Sequence, residues 1–272
     1  NPGGYVYVAG YSNATWGTSP KRTYTSGNDG YAAKLDSTGA LVWHAFLGGS
    51  GEDYGRDIYA LSAFAIYAVG YSDATWSAPT IAHHGGKDAY IVLLDSNGLM
   101  LWLSFLGGSG DDYGVAIHVH SAGSEYVLGG STATWGSPVR AFSGVSEDAF
   151  IARVGASGTL TWNTFLGGGA SDVGYAITAD GSGNVYAAGN SSATWGSPLG
   201  AYAGAGDAFV AKVTSAGALV ANTFMGSAAG YDTAHGIVVD SSGDAYVSGA
   251  SDTTWGSPVT PYSADAVFAA KV

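Results

Sequence analysis

The chain has 272 residues and no cysteine, which excludes a disulfide framework and thiol chemistry. Its formal net charge of −12 argues against nucleic-acid binding, because an acidic surface is repelled by phosphate groups. Charged residues make up only 11% of the chain and hydrophobic residues 46%, which predicts a continuous core under a surface that meets other surfaces, including copies of itself.

The chain starts at Asn1, without a Met and without a charged leader region. This start is consistent with a secreted protein whose signal peptide has been removed, and equally with a trimmed boundary. We expect an extracellular or cell-surface protein. No apolar run approaches the ~18 residues of a membrane-spanning helix, so we expect no membrane span.

Four blocks recur along the chain, and each of them predicts a β-strand. Their β-branched and aromatic residues alternate partially with small and polar residues, and no window sustains the period of a helix. Sequences such as Asp-Ser-Thr-Gly at 36–39 separate the blocks and predict hairpin turns. The first copies of the blocks are YVYVAG at 5–10, DGYAAKL at 29–35, LVWHAFL at 41–47 and GRDIYAL at 55–61.

Tryptophans at Thr-Trp pairs recur about 60 residues apart and give the period of the repeat. Four strands in ~60 residues, each joined to the next by a turn, are typical of a β-propeller blade. We therefore predict an all-β fold, a β-propeller that forms a single domain over 1–272. The repeat units are about 29–87, 88–147, 148–206 and 207–264, with partial units at 1–28 and 265–272.

Three blocks carry a resemblance to a known family: DAFVAKV at 207–213, WNTFLGG at 162–168 and GNVYAAG at 183–189. They resemble the bacterial and archaeal beta-propeller repeat family, often abbreviated SBBP, and the resemblance covers essentially the whole chain. It implies a secreted or cell-surface propeller, usually within a larger extracellular protein, and no single activity. The chain departs from the family where an Asp-Phe-Pro-like loop is usual, because it has the Thr-Trp motif there.

The expected strands do not fill whole blades. The first two blocks occur five times and the last two occur four times, which gives eighteen strands, two fewer than five four-stranded blades require. By analogy with related propeller repeats, the G-x-x-I block is innermost and the L-x-W block outermost. We then expect five blades, the first lacking its inner strand and the last its outer one. Alternatively, 41–47 completes the C-terminal blade, which leaves four full blades and a spare N-terminal hairpin.

Unpaired edges predict a further possibility, in which another subunit supplies the missing strands. A head-to-tail contact that does not close would then build a filament or a tube. A truncated or irregular blade without assembly is the other explanation. The residues expected in edge-strand contacts are Tyr5, Val6, Tyr7, Val8, Val267 and Phe268.

The Thr-Trp loops should lie on one rim of the molecule. Exposed indole rings stack on sugars or anchor protein interfaces, whereas buried ones pack on their own blade together with the Pro that follows. All three interpretations remain open from the sequence. The candidate partner- or glycan-binding residues are Trp16, Trp76, Trp135, Trp195 and Trp255.

Aspartates recur in two sets. One set precedes the G-x-x-I block in Gly-rich loops and consists of Asp53, Asp112, Asp172 and Asp232. Such carboxylates can bind Ca²⁺, but the spacing is not that of an EF-hand, and Asp in these turns commonly accepts hydrogen bonds from backbone N–H groups. The other set opens the D-A-F strands and is interpreted in the same way; it consists of Asp29, Asp88, Asp148, Asp207 and Asp265.

The remaining candidates are weak. His83 and His84 are adjacent, and His118 and His120 share one face of a strand, but no third ligand has diagnostic spacing, so we expect no metal site. Asn13 and Asn190 begin N-glycosylation sequons, which would place their loops on the outside. No repeat differs from the others by an added acid and base, so we expect neither an enzyme nor a cofactor, with Ca²⁺ as the one candidate ion.

We therefore expect a secreted, non-enzymatic structural subunit of an extracellular filament, tube or sheath, whose partners are copies of itself. The alternative is a multivalent lectin with one site per blade at the Thr-Trp loops. A propeller hydrolase is a third hypothesis.

Overall fold

A computed structural model describes residues 4–121, 123–144, 146–260 and 266–272. Within these ranges the protein is all-β, with eighteen strands and no helix, which confirms the expected all-β class and the expected strand count. The strands are β1 Val6–Ser12, β2 Asp29–Leu35, β3 Leu41–Leu47, β4 Asp53–Ser62, β5 Ala65–Ser72, β6 Asp88–Leu94, β7 Met100–Leu106, β8 Asp112–Ser121, β9 Ser124–Ser131, β10 Asp148–Val154, β11 Leu160–Leu166, β12 Asp172–Ala179, β13 Val185–Ser191, β14 Asp207–Val213, β15 Leu219–Met225, β16 Asp232–Val239, β17 Ala245–Ser251 and β18 Ala266–Lys271.

The described strands form five sheets in which sequence neighbours are also spatial neighbours. In chain order these are the first sheet β1-β2-β3, the second β4-β5-β6-β7, the third β8-β9-β10-β11, the fourth β12-β13-β14-β15 and the fifth β16-β17-β18. The paired strands are antiparallel, so each sheet is a meander built from hairpins. We call β4, β8, β12 and β16 the entry strands and β3, β7, β11 and β15 the exit strands.

The hairpin turns form for the reason that the sequence indicates. In the β2–β3 turn, Asp36 Oδ1 accepts hydrogen bonds from the backbone N–H groups of Thr38 and Ala40, at 2.8 and 3.0 Å. Gly39 then adopts a φ of 84°, which an L-residue with a side chain rarely adopts. Asp95, Asp180 and Asp240 accept the same pair of bonds in later turns. These four turns fix the register of the strands that they connect.

The entry strands contain an irregularity near their start. The pairing of β4 with β5 shifts between Gly55 and Asp57, and that of β12 with β13 shifts between Gly174 and Ala176. At Gly55 the backbone of the first sheet approaches closely, because a Cβ there would lie 2.5 Å from the carbonyl oxygen of Gly10. Glycine is therefore required where β4 passes the first sheet.

The first and fifth sheets each have three strands in the described part of the chain. β3 pairs with β2 throughout, from Gly30 opposite Leu47 to Leu35 opposite Leu41. The alternative in which 41–47 completes the C-terminal sheet is therefore wrong for this structure. In the part of the chain that the structure describes, the first sheet has no entry strand and the fifth has no exit strand, as the strand count predicted.

The fifth sheet departs from the repeat at one position. Ala266 pairs with Ser251, and the equivalent residue of the fourth sheet, Asp207, pairs with Ser191. An alanine thus occupies the register position of the recurring aspartate. The predicted member of that set, Asp265, lies outside the described residues.

The chain divides into two compact units, one formed by Asn1–Val127 with Arg153–Thr161 and the other by Leu128–Ala152 with Trp162–Val272. In the first unit a core of buried residues combines side chains of the first two sheets, including Trp43, Tyr90 and Phe105. In the second unit a core combines side chains of the fourth and fifth sheets, including Val210 and Ile237. Each core therefore lies between consecutive sheets. Among the described residues no helix has the length and apolar character needed to span a membrane.

Candidate functional site

The Thr-Trp loops place their indole rings in two different environments. Trp76, Trp135 and Trp195 are buried, whereas Trp16 and Trp255 are half-buried. The three buried rings belong to the second, third and fourth sheets, which have four strands each. The two half-buried rings belong to the three-stranded sheets at either end of the chain.

Trp195 shows how a complete sheet buries its indole. The ring meets Phe209 of β14 and Phe224 of β15 edge to face, with centroids 5.4 and 5.8 Å away. The Arg140 guanidinium lies over the ring, 5.4 Å from its centroid. Since the ring is enclosed by these groups, it offers no platform for a sugar or a partner protein. The same burial removes Trp76 and Trp135 from the exposed set that one site per blade requires.

The two half-buried rings differ from each other. Trp16 stacks on His44 of β3, with 4.3 Å between ring centroids, and it meets Tyr31 and Phe46 edge to face at 5.1 and 5.9 Å. Trp255 meets Phe268 of β18 edge to face at 5.1 Å, and the described residues of the fifth sheet include no exit strand that could supply a second phenylalanine. Trp255 therefore borders open space on the side where Trp195 meets Phe224.

Exit strands are held on their second edge by the segment that follows each Thr-Trp pair. In the fourth sheet the N–H of Leu199 donates to the carbonyl of Asn222, and the N–H of Phe224 donates to the carbonyl of Gly200. These two bonds measure 2.9 and 3.0 Å. Equivalent pairs join Val139 and Arg140 to β11, Thr80 and Ile81 to β7, and Lys21 and Arg22 to β3.

A side chain of the exit strand adds a third bond that the sequence reasoning missed. Asn163 and Asn222 donate from Nδ2 to the carbonyls of Trp135 and Trp195, at 2.9 and 2.8 Å. His44 holds the equivalent position in β3, with its Nε2 2.8 Å from the carbonyl oxygen of Trp16. The recurrence of Asn-Thr-Phe in the two later exit strands was the available signal.

A groove of about 590 Å³ lies beside β18 in the second unit. It is lined by the Thr-Trp loop of the fifth sheet, including Trp255 and Val259, and by β18 itself, including Val267 and Phe268. Val267 is 87% exposed, and Val259 is fully exposed. The groove lies along the edge of β18 that corresponds to the edge on which an exit strand pairs in the other four sheets.

The broad face of the fifth sheet is also open. Tyr186 of the fourth sheet is 3% exposed and lies 3.4 Å, Oη to carbonyl oxygen, from Gly243 of the next sheet. Tyr246 holds the equivalent position in the fifth sheet and is 43% exposed, and Val238 beside it is exposed too. The fifth sheet thus presents to solvent the face that the fourth sheet buries against its neighbour.

At the other end of the chain, β1 is an edge strand of the first sheet. Val6 and Tyr11 of this strand are exposed, whereas Tyr7 and Val8 are half-buried. The Lys34 ammonium group lies 3.8 Å from the ring centroid of Tyr5. Of the predicted edge residues, Val6 and Val267 are thus the two most accessible for pairing.

The recurring aspartates are buried and accept backbone hydrogen bonds. Asp207 Oδ2 accepts from the N–H of Ala203, four residues earlier, and Asp172 Oδ2 accepts from the N–H of Gly168. Members of the two sets also approach each other, because a Cβ on Gly226 would lie 2.6 Å from oxygens of both Asp207 and Asp232. Donors aimed at these carboxylates favour the loop-capping role over Ca²⁺ binding. No group of three or more His, Cys, Asp or Glu side chains suited to a metal occurs in the described part of the chain.

Two of these aspartates have strongly altered acidity. Burial raises the pKa of Asp53 and that of Asp172 to about 6, against the smaller opposing effect of the hydrogen bonds that the carboxylates accept. The nearby charge of Asp29 adds to the rise for Asp53, and that of Asp148 adds to the rise for Asp172. The protonated form of each is therefore favoured by folding.

The predicted glycosylation and histidine residues differ in their exposure. Asn190 is 2% exposed, and its Nδ2 donates to the carbonyl of Asp232 at 2.7 Å. Because a glycan attaches through that nitrogen, the predicted sequon at Asn190 is not available in the folded chain. Asn13 is exposed. His118 is half-buried against Tyr59, and burial lowers its pKa.

The geometry therefore places one accessible apolar region on the second unit, formed by the groove beside β18 and the open face of the fifth sheet. A comparison with models of known protein families found no match to this chain, and a comparison with curated protein sequences found no relative.

Proposed function

We propose that this chain is a secreted, non-enzymatic β-propeller of the SBBP type that acts as a structural subunit of an extracellular or cell-surface assembly, such as a filament, tube or sheath. The observation that carries the proposal is the contrast between Tyr186 and Tyr246. The same position of the repeat is covered in the fourth sheet, where the fifth sheet packs against it, and exposed in the fifth sheet.

Stacking of sheets is the main source of burial in this protein, since each core lies between consecutive sheets. An exposed face with Val238 and Tyr246 therefore loses stabilisation that every preceding repeat gains. A sheet from another chain that packs there would recover it. Hydrophobic patches of this kind on a soluble protein mark interaction surfaces.

The first and fifth sheets leave different edges open. Among the described residues the first sheet has no entry strand beside β1, and the fifth has no exit strand beside β18. A contact that joins one end to the other is head-to-tail, and such contacts produce open polymers when the rotation does not close. This supports a filament or tube over a symmetric dimer.

The lectin hypothesis requires an accessible indole in every repeat. Burial of Trp76, Trp135 and Trp195 argues against one glycan site per blade. Trp16 and Trp255 remain half-exposed, so a glycan array probed with the chain and with its Trp255→Ala variant distinguishes the two hypotheses. Loss of a saturable glycan signal in that variant would favour the lectin.

The assembly is tested with the purified chain by light scattering and negative-stain microscopy. We expect regular polymers, and we expect Val238→Glu with Tyr246→Glu to leave a monodisperse monomer. Phe64→Glu is the matched control, because Phe64 is 75% exposed on a turn of the second sheet and its variant should still polymerise. A wild-type chain that stays monomeric at its highest soluble concentration overturns the proposal.

A further inference from the structure

Four tyrosines follow one another across the first three sheets, within the first unit. Their ring centroids are 4.6, 4.9 and 5.0 Å apart from one ring to the next. The two central rings are directly opposed in the pairing of β4 with β5, and the outer rings come from β1 and β8. The ring on β1 is 51% exposed, and the other three are half-buried. We call this set the tyrosine row; it consists of Tyr11, Tyr54, Tyr71 and Tyr113.

The pairing of the strands does not require aromatic residues in the row. In the second, fourth and fifth sheets the entry strand begins with an Asp opposite a Ser, and the next pair toward the strand interior differs in every sheet. That next pair is Tyr54 with Tyr71, Val173 with Asn190, and Thr233 with Ala250. The two central tyrosines are therefore a feature of the second sheet and not of the repeat.

Two cations lie beside the central ring of the row. The guanidinium carbon of Arg56 is 5.2 Å from the ring centroid of Tyr71, and Lys87 Nζ is 6.0 Å from it. Arg56 Nη2 donates a hydrogen bond to Tyr71 Oη at 3.0 Å, and a guanidinium has further N–H donors that this bond does not use. Arg56 is exposed, and it forms no ion pair with any described carboxylate. It can therefore bind an anion from outside the chain.

The carboxylates beside the row already accept hydrogen bonds from the protein. Glu52 Oε2 accepts from Tyr54 Oη at 3.2 Å. Asp111 accepts from the backbone N–H of Lys87 at 3.0 Å and from Tyr113 Oη at 3.3 Å. These bonds fix two of the tyrosine hydroxyls. They also place negative charge along the row, which disfavours a ligand with a continuous phosphate backbone.

The combination of aromatic rings with an exposed guanidinium suits a sugar chain that carries carboxylates. The C–H face of a sugar packs on an aromatic ring, and a guanidinium binds a carboxylate through charge-assisted hydrogen bonds. We propose that the tyrosine row is a binding site for an acidic polysaccharide, in which a uronate carboxylate binds Arg56 and Lys87 and neighbouring sugars pack along the tyrosines. This site is separate from the Thr-Trp loops. It does not depend on the assembly, because all of its residues lie in the first unit.

The probe is tetragalacturonate, titrated into the full chain by isothermal titration calorimetry at low ionic strength. We expect saturable one-to-one binding that weakens as salt is added, because salt screens an exposed ion pair. The methyl ester of the same tetrasaccharide keeps the sugar rings and loses the charges, and it should bind at least tenfold more weakly. Equal binding of the ester would overturn the proposal.

The variants use residues that the repeat itself accepts. Tyr54→Val together with Tyr71→Asn copies the pair of the fourth sheet, and we expect at least tenfold weaker binding of tetragalacturonate. Circular dichroism checks that this variant folds. Arg56→Gln changes an exposed side chain and should weaken binding about tenfold, whereas Arg56→Lys should restore part of it.

The matched control is Lys21→Gln, at an exposed cation whose backbone N–H donates to the carbonyl of His44 in β3. This variant should bind tetragalacturonate as the wild type does. Unchanged affinity in Arg56→Gln, or an equal loss in Lys21→Gln, would contradict the site.

Two further results decide between this inference and others. An oligothymidylate that binds more tightly than tetragalacturonate would overturn the polysaccharide and favour a nucleic acid. Absence of binding to tetragalacturonate at millimolar concentration would overturn the site while leaving the assembly standing. Specific binding by a chain that never polymerises would support the site and overturn only the assembly.

Discussion

The indole of Trp195 and the ring of Phe224 lie edge to face, with their centroids 5.8 Å apart, although one belongs to a loop and the other to the exit strand. Trp76 and Phe105 meet in the same way in the second sheet, at 6.1 Å. This contact ties the Thr-Trp loop of each complete sheet to its last strand. Its absence at Trp255 is what opens the groove of the fifth sheet.

Truncating the exit-strand ring should be costly. Phe224→Ala removes a buried side chain from between Trp195 and Tyr202, and we expect a loss of ~3–5 kcal/mol in the free energy of unfolding. Urea denaturation followed by circular dichroism measures it. Phe64→Ala, at an exposed ring, should stay within about 0.5 kcal/mol of the wild type. Equal losses in the two variants would contradict the packing role.

Stability should fall as the pH rises from about 4 to about 6. Asp53 and Asp172 have pKa values raised to about 6 in the folded chain, so the folded state binds more protons than the unfolded state in this range. Their contribution is fully present below pH 4 and is lost as the pH passes 6. Each contributes at most about 3 kcal/mol across the range, since one pKa unit corresponds to ~1.4 kcal/mol.

The test of this pH dependence is the slope of unfolding free energy between pH 4.5 and 7. Asp172→Asn should reduce this slope, because the variant no longer has the carboxyl group of Asp172 to titrate. Asp36→Asn is the control, because hydrogen bonds from Thr38 hold the pKa of Asp36 below its ordinary value and its titration lies at lower pH. A slope that Asp172→Asn leaves unchanged would show that another group titrates.

Two turn glycines with matching backbone angles should respond differently to alanine. Gly39 and Gly98 have φ values of 84° and 80°, so both variants bear a strain of about 1 kcal/mol. A Cβ on Gly39 meets nothing within 4 Å, whereas one on Gly98 would lie 2.7 Å from the Trp43 ring. We expect Gly98→Ala to cost at least ~1 kcal/mol more, measured by thermal and urea unfolding. Equal costs would mean that the Trp43 ring moves freely.

The hydrogen bond from the Asn163 side chain to the carbonyl of Trp135 should contribute measurably to the free energy of unfolding. Asn163→Leu copies Leu103, which holds the equivalent position in β7, and leaves the buried carbonyl of Trp135 without its side-chain donor. We expect a loss of ~1–3 kcal/mol in unfolding free energy. Asn97→Ala, in an exposed turn, should have little effect. A neutral Asn163→Leu would show that the volume of Leu compensates for the lost bond.

Much of the fold was predictable because local chemistry repeats. The eighteen strands and the Asp-x-x-Gly turns follow from alternation, from Asp36-type acceptors and from glycines at positive φ. The missing entry and exit strands followed from counting blocks. None of these inferences depends on which residues approach each other across sheets.

The candidate site was predictable only in part. The sequence alone determined the strands, their order and the incomplete sheets at both ends. Only the tertiary structure decided that Trp195 is enclosed and Trp255 is not, that Asn190 is buried, and that β3 stays on β2. The physical reason is that burial depends on what packs against a residue: Trp195 is covered by its exit strand and Tyr186 by the next sheet, whereas Trp255 and Tyr246 have neither cover among the described residues.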